Sequence, residues 1–282
     1  MKPDGKITED LRSLGALDGH EIPLAETALI LASLDRPGVA LAPYRRHLER
    51  MVKEVRDYIG KDLEAGGLDL RIEALREVIA KRYGYGNDES DDGLDGNPDN
   101  GNLMRVIDRR QGLPVMLGLL YLHVAGAMGW FAAGLNFPGR FLVRLDHLGE
   151  RAVIDPLDRC AVLNAQDIRA LYKAVAGNQA ELEPSHYSDL SNRDVLVRIQ
   201  NNVKVQLVRT DQLAAALDCI ETTLMFAPAE ATLWREAGLL HARNDNIPAA
   251  VAALEEFLRQ NDGDSGNYRT SVLLQELRGR LG

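Results

Sequence analysis

Apolar residues in the first third of the chain recur at helical spacing. Ile22, Leu24, Ala25, Ala28, Leu29, Leu31, Ala32 and Leu34 form one stripe, closed by Pro37 and Gly38. Tyr44, Leu48, Met51, Val52, Val55, Tyr58 and Ile59 form a second; Leu68, Ile72, Leu75, Val78 and Ile79 form a third. Three amphipathic helices predict a packed N-terminal helical unit. The pattern breaks over residues 84–101, which are rich in Asp and Gly and contain no basic residue. That composition predicts a solvated loop. A short helix is expected over 102–110, with Leu103, Val106 and Ile107 inward.

From Leu113 to Gly139 there is no Asp, Glu, Lys or Arg, the longest such run in the chain. Its length would admit a membrane span. Gly118, Gly126, Gly129, Gly134, Asn136 and His123 interrupt it, however, so it reads as a buried helix at 115–128 followed by a strand at 130–137. Pro114 suits the helix start, where its missing N–H would have no partner anyway. Strands at 141–145 and 151–155, joined by a turn over 146–150, complete a small antiparallel sheet on that helix. Residues 166–175 predict one more helix, and 177–185 a connector.

Beyond Ser191 the spacing is helical only, and it repeats. Leu213, Ala215, Ala216, Leu217, Ile220, Glu221 and Leu224 return 34 residues later as Ile247, Ala249, Ala250, Val251, Leu254, Glu255 and Leu258. A 34-residue period with small residues at tight crossings is the mark of tetratricopeptide helix pairs. The pairs fall at 193–208 with 211–225 and 229–243 with 246–260, with a capping helix at 271–281. The expected fold class is therefore α+β, with an all-α repeat array behind it. The domains are placed at 1–185 and 186–282.

Composition narrows the function. The 33 basic and 42 acidic side chains give a net charge of −9, which disfavours duplex nucleic acid, where phosphate neutralisation dominates affinity. Cys160 and Cys219 are too few for a disulfide framework or a zinc site. Asp95, Asn97 and Asp99 have the first spacings of a calcium loop. The turn glycine is replaced by Asn100 and the bidentate glutamate by Val106, so no metal is expected. The first ten residues lead into no apolar segment, which points to a cytoplasmic protein.

Several stretches together resemble the bacterial SirB family, a transglutaminase-like region followed by tetratricopeptide-like repeats. They are residues 22–34 (IPLAETALILASL), 102–129 (NLMRVIDRRQGLPVMLGLLYLHVAGAMG), 136–145 (NFPGRFLVRL), 153–156 (VIDP) and 191–208 (SNRDVLVRIQNNVKVQLV). The resemblance implies a papain/transglutaminase-like central helix on a small sheet. The wider superfamily implies a Cys-His-Asp triad: a thiolate in the first turn of the central helix, a His starting one strand and an Asp on the next. In this chain those slots fall at Met116 (Val115 if the register slips by one), Arg140 and Asp155. A thioether has no proton to lose and a guanidinium stays protonated, so nucleophile and base are both missing. Arg140 is instead expected either to form a bidentate pair with Asp155 or to point to solvent while Asp155 caps a local turn.

Other residues stand beside these. Cys160 follows Asp155 closely enough to stand in as a nucleophile, against its reading as an inert thiol. His147 reads as a turn histidine, His123 as a core histidine and Cys219 as packing. Arg109 and Arg110 look like a basic patch that could bind a ligand, against the reading that they are solvated or paired with a nearby Asp. Arg198, Lys204, Arg209, Arg235 and Arg243 are the candidate peptide-binding cations on the repeats, suited to an acidic segment, against the reading that they are simply the solvated face. The leading expectation is a non-catalytic protein-binding scaffold that needs no cofactor and takes a protein or peptide partner through the repeats, without nucleic acid or membrane. Two alternatives are a cysteine-type amidohydrolase and, from the family's naming, a regulator of gene expression acting through protein contacts.

Overall fold

The uncharged run folds as α6, Pro114–Ala127, and is buried nearly all round: Val115, Met116, Leu117, Leu119, Leu120, Tyr121 and Val124 are at most 1% exposed. That accounts for the absence of charge along it, since an unpaired charge there would be desolvated at large cost. The computed structural model of the chain describes residues 5–60, 66–86, 97–261 and 267–281. No described helix is long and apolar enough to cross a membrane.

The chain divides into two compact units, Gly19–Ile199 and Met1–Asp18 with Gln200–Gly282. In the first, α2 (Leu24–Leu34), α3 (Ala42–Ile59), α4 (Leu68–Leu75) and α5 (Leu103–Arg109) precede α6. The expected third helix is not uniform. After α4 it continues as a π-helical segment, Arg76–Arg82, in which Tyr83 N–H reaches back to Val78 O. The sheet has order β4-β3-β2-β1-β5, every pairing antiparallel. Its strands are β1 (Phe131–Leu135), β2 (Val143–His147), β3 (Glu150–Asp155), β4 (Ala161–Leu163) and β5 (Asp189–Leu190). Helix α7, Ala165–Ala176, starts in a full capping box: Asn164 accepts from the Asp167 N–H, and Asp167 accepts from the Asn164 N–H.

Two glycines of the run have a packing reason. A Cβ on Gly118 would meet Phe141 Cδ1 at 2.2 Å, and one on Gly134 would meet Phe141 Cζ at 2.6 Å. The Phe141 ring is thus wedged between α6 and β1, and only hydrogen fits on either side.

The sheet differs from expectation in three places. Strands β2 and β3 run on to His147 and Glu150, so the turn is the two residues Leu148 and Gly149, both at positive φ (49° and 87°). Such a turn matches the strand twist, and Gly149 stood out less than the polar residues around it. Strand β4 was not expected because Ala161–Leu163 is too short to show a period. Strand β5 is a two-residue pairing set by long-range bonds. Arg144 forks onto Asp189 from β2 (Nη2–Oδ2 2.8 Å), tying β5 across β1.

In the second unit α8 (Asn192–Arg209) is entered partway, followed by α9 (Leu213–Phe226), α10 (Ala231–Arg243), α11 (Ile247–Gln260) and α12 (Tyr268–Gly279). The repeat shows in the packing: Ala216 and Ala250, 34 residues apart, are both fully buried. A Cβ on Gly238 would meet Leu254 Cδ2 at 2.5 Å, so α10 and α11 cross closely. Helix α1, Gly5–Gly15, was not expected. It packs on α9, with Gly15 against Met225 O. The compact units therefore depart from a split at 185/186, because α1 joins the helices beyond Gln200 and the division lies inside α8.

Candidate functional site

Gly112 and Pro114 set the start of α6. A Cβ on Gly112 would lie 2.6 Å from Val106 Cγ2, and Leu113 N–H donates to Asn100 O at 3.0 Å, which pins the entry to the helix. Met116 follows in the first turn with its side chain 1% exposed. Half a turn on, Gly118 receives Phe141, the residue after Arg140.

The turn between β1 and β2 delivers Arg140. Gly139 takes φ +71°, and a Cβ there would strike Val175 at 2.5 Å, so glycine is required on both counts. Arg140 Nε then donates to Asp155 Oδ2 at 2.7 Å, from a side chain 29% exposed to one 2% exposed. The second oxygen, Oδ1, accepts from the N–H groups of Leu157 (2.9 Å) and Asp158 (3.3 Å). The expected bidentate fork is therefore corrected: the pair is held through one nitrogen, because the other carboxylate oxygen is taken by the turn after β3.

Arg198 also lies here, and this corrects its place among the peptide-binding cations. Its Nη2 donates to Phe137 O and Arg140 O, both at 2.9 Å, and its guanidinium stacks 5.4 Å from the Phe141 centroid. Burial pulls this guanidinium below its ordinary pKa. It braces the turn that carries Arg140. Helical periodicity put Arg198 on a polar face without showing that the face is covered.

Cys160 is fully buried, in a left-handed backbone conformation (φ 64°). Its carbonyl accepts from Arg76 Nη2 at 2.9 Å and its N–H donates to Asp155 O at 2.9 Å. Burial, the largest cause, pushes the thiol up to about 12, against the pull of the Arg76 cation. Tyr121 lies beside it with a buried hydroxyl that makes no hydrogen bond of good geometry, and burial raises that hydroxyl well above its usual range. Such a thiol is protonated at neutral pH and is a poor nucleophile.

The remaining candidates are dispersed. His147 ends β2 opposite Glu150. His123 is half-buried, and burial lowers its pKa. Cys219 donates to Gln200 Oε1 at 3.1 Å. Lys204 is bound to Glu236 at 2.5 Å and Asn201 at 3.0 Å, Arg235 reaches Thr270 Oγ1 at 3.2 Å, and Arg209 and Arg243 are exposed. Arg109 pairs with Asn100 Oδ1 at 2.9 Å, and Arg110 with Tyr85 and His47, so neither meets the expected Asp. Of the calcium-like triplet, Asp95 lies outside the described residues, while Asn97 accepts from the Asp99 N–H as a helix cap.

The sequence pattern of the transglutaminase-like superfamily matches residues 42–201, more than half of the chain. The chain belongs to the transglutaminase-like superfamily. The tetratricopeptide repeat pattern follows at 204–275. Protein SirB1 of Salmonella typhimurium is 24% identical over 251 residues, covering 89% of this chain and 91% of its own. A UPF0162 protein of Xylella fastidiosa (strain Temecula1) is 27% identical over 88% of this chain and 87% of its own, and one of Vibrio cholerae 25% identical over 90% and 93%. These relatives agree with the SirB resemblance read from residues 22–208. Among solved structures, menin, whose title names its binding site for the Mixed Lineage Leukemia protein, gives a TM-score of 0.41 at 8% identity over 91% of this chain and 70% of its own. That likeness is too low to carry anything over to this superfamily member.

Proposed function

We propose that the protein is a non-catalytic, cytoplasmic scaffold: a transglutaminase-like domain with an emptied triad, joined to a tetratricopeptide array that binds an acidic segment of a partner protein. The observation that carries the first half is Asp155. The carboxylate that would orient a base is 2% exposed and committed to Arg140 and two backbone N–H groups. No imidazole stands in the slot, and Met116 supplies no thiol. Losing nucleophile and base together removes about six orders of magnitude of kcat in triad enzymes.

Partner binding rests on Arg209, Arg235 and Arg243, since Arg198 is spent on the β1–β2 turn and Lys204 on Glu236. The hydrolase alternative loses its nucleophile in Cys160, whose thiol is buried and pushed up to about 12. The test is affinity capture with the full chain beside a variant carrying Arg209→Glu, Arg235→Glu and Arg243→Glu. The reading expects specific partners, enriched in acidic segments, to be lost from the variant. Partners captured equally by both, or measurable amide turnover by the purified chain, would refute it.

A further inference from the structure

A second polar cluster forms where α3, the segment after the π-helical turn and the end of α5 meet. Arg110 closes α5 in the left-handed conformation, φ +66°, which is strained for a residue with a Cβ. This backbone turns its guanidinium onto two aromatic rings, with Cζ 5.7 Å from the Tyr83 centroid and 5.1 Å from that of Tyr85. Nη1 donates to Tyr85 Oη at 2.6 Å and to His47 Nε2 at 3.0 Å, and Tyr85 Oη lies 2.9 Å from the same His47 nitrogen. His47 Nε2 is therefore an acceptor and the ring is neutral. Burial first, then Arg110 and Arg50, push its pKa down to about 4. Arg50 lies one turn beyond His47 on the same face of α3.

The neighbouring carboxylates are already engaged. Glu54 takes Arg82 at 2.9 Å and the Tyr83 hydroxyl at 2.8 Å, while Asp108 takes Arg36 at 2.7 Å and the Tyr44 hydroxyl at 3.1 Å. Among the described residues neither Arg50 nor Arg110 has a carboxylate within salt-bridge distance, and the Nε and Nη2 hydrogens of Arg110 have no acceptor. Among the described residues, two guanidinium groups without a salt-bridged carboxylate thus act on the one His47 ring, with Glu54 the nearby carboxylate that offsets them in part. Stacking and hydrogen bonding have already fixed the Arg110 fork, so little rotamer freedom remains to be lost on binding.

We propose that His47, Arg50 and Arg110, set over Tyr83 and Tyr85, form a binding site for a phosphate-type oxyanion. Phosphate carries a charge of roughly −1.5 to −2 and three acceptor oxygens, which matches two cations and an open fork edge. A carboxylate would balance only one of the two. Free phosphate and a phosphomonoester present the same oxyanion, and the probes below separate them. The site is independent of the partner-binding role of the repeats.

The test follows the His47 imidazole by NMR in the full chain, titrated at neutral pH and constant ionic strength with inorganic phosphate, phenyl phosphate or acetate. The expected result is a saturable shift with phosphate, a rise in the His47 pKa, and binding weakened about tenfold or more, or about 1.4 kcal/mol, in both Arg50→Gln and Arg110→Gln. Arg50 is exposed, so R50Q reads binding even if R110Q misfolds. Tighter binding of phenyl phosphate assigns the site to a phosphomonoester, and tighter binding of inorganic phosphate to the free ion. No saturable shift, acetate binding as tightly as phosphate, or wild-type affinity in R50Q would overturn the proposal.

Discussion

Replacing Arg140 by Gln removes the side-chain partner of a carboxylate that is 2% exposed and leaves it with two backbone N–H groups. Because Arg140 itself is 29% exposed, water screens part of the loss. The expected destabilisation is about 1–3 kcal/mol, below the range for a fully buried pair, read as a lower urea midpoint with an unchanged m-value. Cys160 makes a second prediction. Native protein should label at Cys219 well before Cys160, and Cys160 should react only as the chain unfolds; rapid native labelling of Cys160 would contradict its burial. His47 makes a third. Its folded pKa of about 4 lies below the usual 6.5, so the unfolded state takes up the proton first. Stability should be unaffected above about pH 6.5 and fall by about 1–3 kcal/mol toward pH 4, discounted for partial exposure, with a shallower fall in His47→Gln. The Arg140–Asp155 contact was legible because a hairpin of known length brings its two ends together. Arg198 and Arg110 were not: their partners are backbone carbonyls and aromatic rings supplied by elements distant in sequence, and local spacing carries no trace of those.

The β2–β3 turn places Leu148 at φ 49° and leaves its side chain 88% exposed. Asn adopts that conformation more readily than Leu and loses no packing there, so Leu148→Asn should stabilise the chain by about 0.5–1 kcal/mol, seen as a higher Tm. Long helices were readable because many turns repeat the same apolar stripe. Strands β4 and β5 were not, being too short for a period and held by partners on other strands. The glycines of the uncharged run were seen as interruptions, yet their reason, the Phe141 wedge, needs the sheet to be in place. The π-helical turn at Arg76–Arg82 has no mark in the apolar spacing, which fits an α-helix equally well.

At the scale of the whole molecule, the order of a helical unit, a central helix on a sheet and a repeat array was legible. Each part has its own period: 3.6 residues, a break into alternation, then 34 residues. Helix α1 escaped because its contacts are with α9, some two hundred residues away, although Ile7, Leu11 and Leu14 do carry a short stripe. The residues in the two substituted slots, Met116 and Arg140, are plain in the sequence, while the fate of Asp155 needed the turn after β3. Loss of acyl-transfer chemistry in this transglutaminase-like domain, as proposed, is open to direct test. The most direct measurement is turnover by the purified full chain, supplied with a glutamine-containing peptide and a fluorescent amine, and separately with amide substrates, beside Cys160→Ser and Asp155→Asn. The expected result is no amine incorporation or hydrolysis above the protein-free rate in any of the three. Turnover by the native chain that is abolished by Cys160→Ser or Asp155→Asn would contradict it.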